Sequence, residues 1–137
     1  MKLRITSTPT EEEKDRLYCG LLKYNLKHIE TSDVREIGIF MEEEHDGIIG
    51  GLVGDTHGNW LTVEYLWVSA DYRNQSIGSE ILQKAEEEAR QRGCRYVFLN
   101  TFGFQAPLFY EKYGYQKVFT LENYPLTGQR IYYTKTL

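Results

Sequence analysis

Hydrophobic and polar positions follow a helical period most clearly between residues 76 and 92. Along this stretch the apolar side chains recur at spacings of three and four residues, and they are Ile81, Leu82, Ala85 and Ala89. The polar residues on the other face are Gln83, Lys84, Glu86, Glu87 and Arg90. This period predicts an amphipathic helix with one buried face and one solvated face, and Gly93 predicts its end.

Alternation of apolar and polar residues predicts strands before and after this helix. We predict strands at 2–7, from Val34 to the turn at 44–47, and at 48–54, 60–68, 95–100, 115–121 and 130–137. Asp46-Gly47 favours a tight hairpin turn, so the strands from 34 to 68 form an antiparallel meander. The helix then leads to the strand at 95–100 without a hairpin, a connection that is typical of a right-handed parallel crossover.

Two further helices complete the predicted architecture. Thr10 and Glu13 have the spacing of a capping box, which predicts a helix start, and a short helix is predicted from Ala106 to Tyr113. The fold class is therefore α/β (α+β), with a mixed, mostly antiparallel sheet of about seven strands flanked by helices. Its one parallel pair joins the fourth and fifth predicted strands. We expect residues 1–137 to form a single domain.

The segment between the strand that ends at Val68 and the central helix has the features of an anion site. A polar turn, 71–75, leads into a helix start with three small residues, Ser76, Gly78 and Ser79. The first N–H groups of a helix lack internal partners and lie at the positive end of its dipole. Arg73 adds a positive charge, so the segment predicts a phosphate or pyrophosphate site. The alternative is that Gly78 only allows the helix to pack closely on the sheet.

Composition excludes several other classes of function. The chain has 137 residues, a net charge of -4 and no apolar run near the roughly 20 residues that cross a bilayer. Its basic residues form no stripe, so we expect no nucleic-acid partner and no membrane partner. Two cysteines and three scattered histidines predict no metal site, and we expect a cytoplasmic location. The acidic balance is compatible with a cationic acceptor, or with solubility alone.

Two motifs in this order resemble the GNAT family of N-acetyltransferases. The first is Tyr-Arg-Asn-Gln-Ser-Ile-Gly-Ser at 72–79, and the second is Ala-Pro-Leu-Phe-Tyr-Glu-Lys-Tyr-Gly-Tyr at 106–115. The order of predicted elements agrees with that family over almost the whole chain. The resemblance implies an enzyme that uses acetyl-CoA as co-substrate and acetylates a primary amine of a small molecule or peptide, and it leaves a homodimer as one oligomeric option.

The resemblance also implies the residues that hold acetyl-CoA. The turn that binds the pyrophosphate through backbone amides corresponds to Arg73, Asn74, Gln75, Ser76, Ile77, Gly78 and Ser79. The preceding strand splays at a bulge and pairs with the pantetheine arm through Leu66, Trp67 and Val68. Ala106 and Phe109 belong to the short helix beside the thioester. Two positions depart from the family: Ser76 stands where glycine is usual, and Gly103 stands where an asparagine is frequent, so that Asn100 or Gln105 would substitute.

The resemblance places Tyr110 at the position that often protonates the departing sulfur. A chain with 11 tyrosines offers the alternative that Tyr110 is a core aromatic residue. Glu64 interrupts an apolar strand, and we expect it to be buried near the centre of the cleft, where burial would make its carboxylate a better general base. A solvent-facing Glu64, with water molecules carrying the proton, is the alternative.

Two functions other than catalysis are consistent with the same residues. A GNAT-like module without activity would bind acyl-CoA and regulate a protein partner. A structural dimer would use the aromatic closing strands, with Tyr124, Tyr132 and Tyr133, as its interface.

Overall fold

The computed structural model describes residues 1–137, which divide into two compact units, Met1–Ser32 and Asp33–Leu137. The first unit contains helix α1, Glu11–Asn25, which begins with the predicted capping box. Glu13 N–H donates to Thr10 Oγ1 at 3.1 Å, and Thr10 N–H donates to Glu13 Oε2 at 3.0 Å. The strand predicted at 2–7 is wrong, since this segment joins no sheet. Its two apolar residues, Leu3 and Ile5, bury too little surface to fix a strand without a paired neighbour.

The second unit is a six-stranded sheet with helices, and its strand order is β1-β2-β3-β4-β6-β5. Its elements are β1 Val34–Glu43, β2 Gly47–His57, β3 Trp60–Val68, a 3-10 turn at Ala70–Tyr72, α2 Ile77–Gln91, β4 Tyr96–Phe102, α3 Pro107–Lys112, β5 Gln116–Glu122 and β6 Gln129–Thr136. All neighbours are antiparallel except β3 and β4, which are parallel. The predicted mixed sheet with one parallel pair is confirmed. The sheet has six strands instead of about seven, because the strand predicted at 2–7 is absent, so the parallel pair is the third and fourth strand instead of the fourth and fifth.

Strands β3 and β4 separate soon after they begin. Their ladder joins Trp60, Leu61 and Thr62 to Tyr96, Val97 and Phe98, and it stops there although β3 continues to Val68. On its other side β3 remains paired with β2 as far as Val68. The backbone of β3 from Leu66 to Val68 therefore has one edge without a strand partner, and this edge faces the gap.

A β-bulge lies on β3 within the splayed region. Tyr65 is paired with Val53 and Val63 with Gly54, so Glu64 is the extra residue. Gly54 is buried opposite this bulge, and a Cβ there would lie 2.1 Å from the carbonyl oxygen of Thr62. The two backbones approach so closely at Gly54 that no side chain fits there.

Helix α2 packs on one face of the sheet and brings the predicted apolar face into the core. Ile81, Leu82, Ala85 and Ala89 are at most 1% exposed. The prediction that Glu86 is solvated is wrong, because it is buried. Its carboxylate accepts hydrogen bonds from Tyr115 Oη and Lys135 Nζ, both at 2.8 Å. None of the helices has both the length and the apolar character needed to cross a bilayer.

Candidate active site

A cleft of about 840 Å³ opens where β3 and β4 part. Its wall is formed by the end of β3, the turn before α2, the first turn of α2, the segment before α3, and α3 itself. The lining residues are Leu66, Trp67, Val68, Tyr72, Arg73, Asn74, Ser76, Ile77, Gly78, Ser79, Phe104, Gln105, Ala106, Phe109, Tyr110, Lys112 and Tyr113. The structure thus brings the two sequence motifs, about 30 residues apart in the chain, to one cleft.

The start of α2 presents backbone N–H groups to this cleft. The first hydrogen bond of the helix is donated by Glu80 N–H to the carbonyl of Ser76, at 3.0 Å. The N–H groups of Ile77, Gly78 and Ser79 precede that bond, so they have no partner within the helix. Arg73 lies beside them, with Nε donating to the carbonyl of Val68 at 3.2 Å. This arrangement suits a bound anion such as a phosphate group.

Ser76 adopts the left-handed conformation, with φ 63° and ψ 12°. This conformation explains why glycine is usual here in the family that the sequence resembles. The hydroxyl of Ser76 makes no capping hydrogen bond, whereas Ser79 Oγ donates to the carbonyl of Ser76 at 2.8 Å. The turn therefore keeps its shape with serine at a strained backbone position.

Replacing Ser76 by glycine is expected to raise the free energy of unfolding by about 0.5 to 1 kcal/mol. Relief of left-handed strain, about 1 to 2 kcal/mol, exceeds the entropic cost of a glycine. Asn74→Gly is the matched control, because Asn74 also has a positive φ, 64°, and asparagine tolerates that conformation better. Chemical denaturation measures both variants. A Ser76→Gly protein that is less stable than the parent would contradict the prediction that the backbone at Ser76 is strained.

Gly78 leaves room in the cleft at the first turn of α2. A Cβ at this position would lie 3.5 Å from Phe109 Cζ and 3.7 Å from Val68 Cγ2, both ordinary contacts. Phe109 and Val68 also line the cleft. A side chain longer than a methyl group would therefore extend between them into the space that a ligand would occupy.

Tyr72 connects two turns at the mouth of the cleft. Its hydroxyl donates to Asp46 Oδ2, in the β1–β2 turn, at 2.6 Å. This hydrogen bond to a carboxylate is the main reason why the pKa of Tyr72 is raised to about 12. The phenol therefore stays protonated at neutral pH and continues to link the β1–β2 turn to the segment that leads into α2.

Tyr110 lies on α3 with its side chain largely in the core. It is 7% exposed, and its ring packs edge-on against Phe109 and Tyr115, at centroid distances of 5.2 and 5.7 Å. Burial raises the pKa of Tyr110 to about 12. The residue also lines the cleft, so a protonated phenol borders the space where a ligand would lie. Tyr110 therefore belongs both to the core and to the cleft wall.

Glu64 is exposed, so the prediction that it is buried near the centre of the cleft is wrong. The physical reason is strand alternation: Leu61 and Val63 occupy the core face, so Glu64 lies on the opposite face of β3. Glu64 is not among the residues that line the cleft. Its place is on the splayed part of β3, two residues before Leu66.

Of three other predicted cofactor-binding candidates, Gln75, Asn100 and Gln105, only Gln105 lines the cleft. Gln75 is exposed in the turn and does not line the cleft. Asn100 also lies outside the lining, where its Oδ1 accepts a hydrogen bond from Arg130 Nε at 2.8 Å. Gln105, the other proposed substitute, does line the cleft, and its Oε1 accepts from Phe102 N–H at 2.7 Å and from Thr101 Oγ1 at 2.9 Å. Gln105 thus fixes the loop after β4.

The cleft wall also contains side chains that the sequence did not identify as site residues, namely Tyr72, Phe104, Lys112 and Tyr113. Lys112 and Tyr113 belong to the second motif, which was the available signal for them. Lys112 is a second cation in the wall besides Arg73. Two cations, unpaired helix N–H groups and an unpaired strand edge together suit a long ligand with phosphate at one end and amide groups along its length.

Comparison with known proteins gives one consistent family. The family model described as acetyltransferase (GNAT) family matches residues 3–115. A curated relative, acetyltransferase Atu2258 of Agrobacterium fabrum, is 40% identical over 121 residues, 88% of this chain and 88% of that protein. Aminoalkylphosphonate N-acetyltransferase of Salmonella typhimurium is 31% identical over 126 residues, 79% of this chain and 82% of that protein. The crystal structure of a putative acetyltransferase from Agrobacterium tumefaciens covers 100% of both chains, with a TM-score of 0.92 and 32% identity.

Proposed function

The chain belongs to the GNAT family of acetyltransferases, and we propose that it transfers the acetyl group of acetyl-CoA to a primary amine of a small molecule or peptide. The observation that carries this proposal is the cleft between β3 and β4, which both motifs line. We further propose that residues 1–137 act as one acetyltransferase domain, because the matched range, 3–115, includes parts of both compact units.

The cleft fits acetyl-CoA as a substrate. The N–H groups of residues 77–79 and the cations Arg73 and Lys112 would hold its phosphates. The free edge of Leu66, Trp67 and Val68 would pair with its amide-bearing arm as with an added strand. Gly78 leaves space there that a larger side chain would fill. When bound, this substrate supplies an activated acyl group on sulfur.

The residues of the chain would then perform two proton transfers. As the amine nitrogen forms a bond to the acetyl carbon, the carbon–sulfur bond breaks, and the electron pair goes to sulfur. Tyr110 would donate its phenolic proton to this sulfur, because its pKa of about 12 keeps it protonated. Glu64 would accept, through water, the proton that the amine loses. Its exposure on the splayed strand makes that carboxylate accessible from solvent.

The proposed function is tested by free-thiol release from acetyl-CoA across a panel of amines. The panel contains neutral, cationic and anionic primary amines and a lysine-containing peptide, each with an amine-free control. We expect at least one amine to raise thiol release about ten-fold or more over the control. Release equal to the control for every amine, together with saturable acetyl-CoA binding, would favour the acyl-CoA-binding module. If acetyl-CoA also failed to bind, the proposal that the cleft holds acetyl-CoA would be contradicted.

A further inference from the structure

Arg130 lies on the face of the sheet opposite to the buried Leu99 and Tyr133. It follows Gln129 at the start of β6 and is paired in the ladder with Phe102. Its Nε donates to Asn100 Oδ1 at 2.8 Å, and Nη1 donates to Tyr124 Oη at 3.4 Å. The guanidinium also lies 5.4 Å from the ring centroid of Tyr124 and 5.9 Å from that of Tyr132. The side chain is therefore held in place by neutral groups only.

No carboxylate within the unit Asp33–Leu137 lies within 4.0 Å of Arg130. The nearest acidic residue in the paired strand is Glu122, at the end of β5. Strand alternation places Glu122 and Gln129 on the other face from Arg130, and Gln129 Nε2 donates to both Glu122 oxygens at 3.1 Å. The charge of Arg130 is thus partly buried and not neutralised by its neighbours, an arrangement that leaves its terminal nitrogens able to donate.

A row of aromatic rings connects Arg130 with the cleft. Tyr124 stacks on Phe102 at 5.7 Å, and Phe102 stacks on Phe104 at 5.2 Å. Phe104 lines the cleft. Asn100, which orients the guanidinium, lies two residues beyond Phe98, the last residue of β4 that pairs with β3. Arg130 therefore lies on β6, across β4 from the gap, and the aromatic row links it to Phe104 in the cleft wall.

We propose that Arg130 binds an oxyanion of the acceptor, so that the preferred substrate is a primary amine that also carries a carboxylate or a phosphonate. This inference rests on the proposed function. A planar guanidinium matches the two oxygens of such a group, and Asn100 pre-orients it through Nε. The net charge of -4 gives no general attraction for anions, so selection depends on this short-range contact.

The test compares four amines of similar length: 3-aminopropanoate, 2-aminoethylphosphonate, propylamine and 1,3-diaminopropane. For the parent protein we expect kcat/KM for the better of the two anionic amines to exceed that for propylamine about 10- to 100-fold. Arg130→Gln is expected to lower this ratio at least ten-fold, chiefly through KM for the anionic amine. Arg130→Lys keeps the positive charge but lacks the planar, two-pronged guanidinium. It should therefore recover part of the preference for the anionic amine that Arg130→Gln loses. Arg95→Gln, at an exposed arginine before β4, is the control and should keep the ratio.

A second measurement separates failure of this inference from failure of the proposed function. Calorimetry with CoA-saturated protein measures binding of the anionic amine that gives the greater kcat/KM, or of 2-aminoethylphosphonate if no amine is acetylated. Binding that Arg130→Gln weakens at least ten-fold supports the subsite even without turnover. Turnover in which propylamine or 1,3-diaminopropane is preferred overturns the inference while the proposed function stands. Anion binding that is absent, or equal in the parent and Arg130→Gln, also overturns it.

Discussion

Replacing Tyr110 by phenylalanine is expected to lower kcat about 100-fold and to leave KM for acetyl-CoA within about two-fold. A positioned proton donor contributes about 100-fold or more to such a reaction. The substitution removes one hydroxyl from a ring that packs against Phe109 and Tyr115, and the ring contacts remain. The substitution should therefore slow the chemical step, which lowers kcat, and leave acetyl-CoA binding nearly unchanged. Steady-state thiol release at saturating amine measures it.

The control for this prediction is Tyr96→Phe, which removes a hydroxyl at the start of β4, where the ring packs against Trp60 at a tilt, with the ring centroids 4.9 Å apart. It should change kcat by less than about two-fold. The pH dependence adds a second check, because a donor acts while protonated, which for Tyr110 means below a pKa of about 12. We expect no fall in kcat from this group up to about pH 10. Equal kcat in the parent and Tyr110→Phe would remove Tyr110 from the mechanism.

Replacing Gly78 by tryptophan is expected to weaken acetyl-CoA binding about 100-fold or more, equivalent to about 2.7 kcal/mol. The added Cβ fits at 3.5 Å from Phe109, so the backbone of α2 can stay in place. The larger indole would extend past Phe109 into the cleft, where it would cover the N–H groups of Ile77 and Ser79. Calorimetric titration with acetyl-CoA measures the change.

Gly78→Ala is the matched control for that substitution. Its methyl group makes ordinary contacts with Phe109 and Val68, and alanine favours the helix. We expect its acetyl-CoA affinity to lie between those of the parent and Gly78→Trp, and its free energy of unfolding to be no lower than that of the parent. Tight binding retained in Gly78→Trp would mean that acetyl-CoA does not contact the start of α2.

Local patterns were sufficient to predict most of the second unit. The 3.6-residue period predicted α2, the Asp46-Gly47 pair predicted a turn in which Gly47 has a φ of 70°, and the strand-helix-strand order predicted the parallel pair. Each of these features depends on residues close together in the chain. The segment 2–7 had the same kind of alternation, but a strand needs a hydrogen-bonded neighbour, which alternation alone does not provide.

The side chains that were predicted wrongly depend on tertiary contacts. Glu86 is buried because Lys135, 49 residues away, and Tyr115 both donate to its carboxylate. Glu64 is exposed because Leu61 and Val63 occupy the core face of β3, and the packing of the assembled sheet decides which face of this largely apolar strand is buried. Arg130 was not predicted as a site residue, since only the pairing of β4 with β6 brings it to Asn100.

We propose that this chain moves an acetyl group from acetyl-CoA to an amine nitrogen within the cleft between β3 and β4. The most direct test incubates the parent protein with carbon-13 acetyl-CoA and the most active amine of the panel, and determines the mass and attachment site of the product. We predict an N-acetylated amine, labelled and formed in a one-to-one ratio with free CoA. CoA released without a labelled amine, or acetyl-CoA bound and recovered unchanged with every amine, would contradict the proposed acetyl transfer.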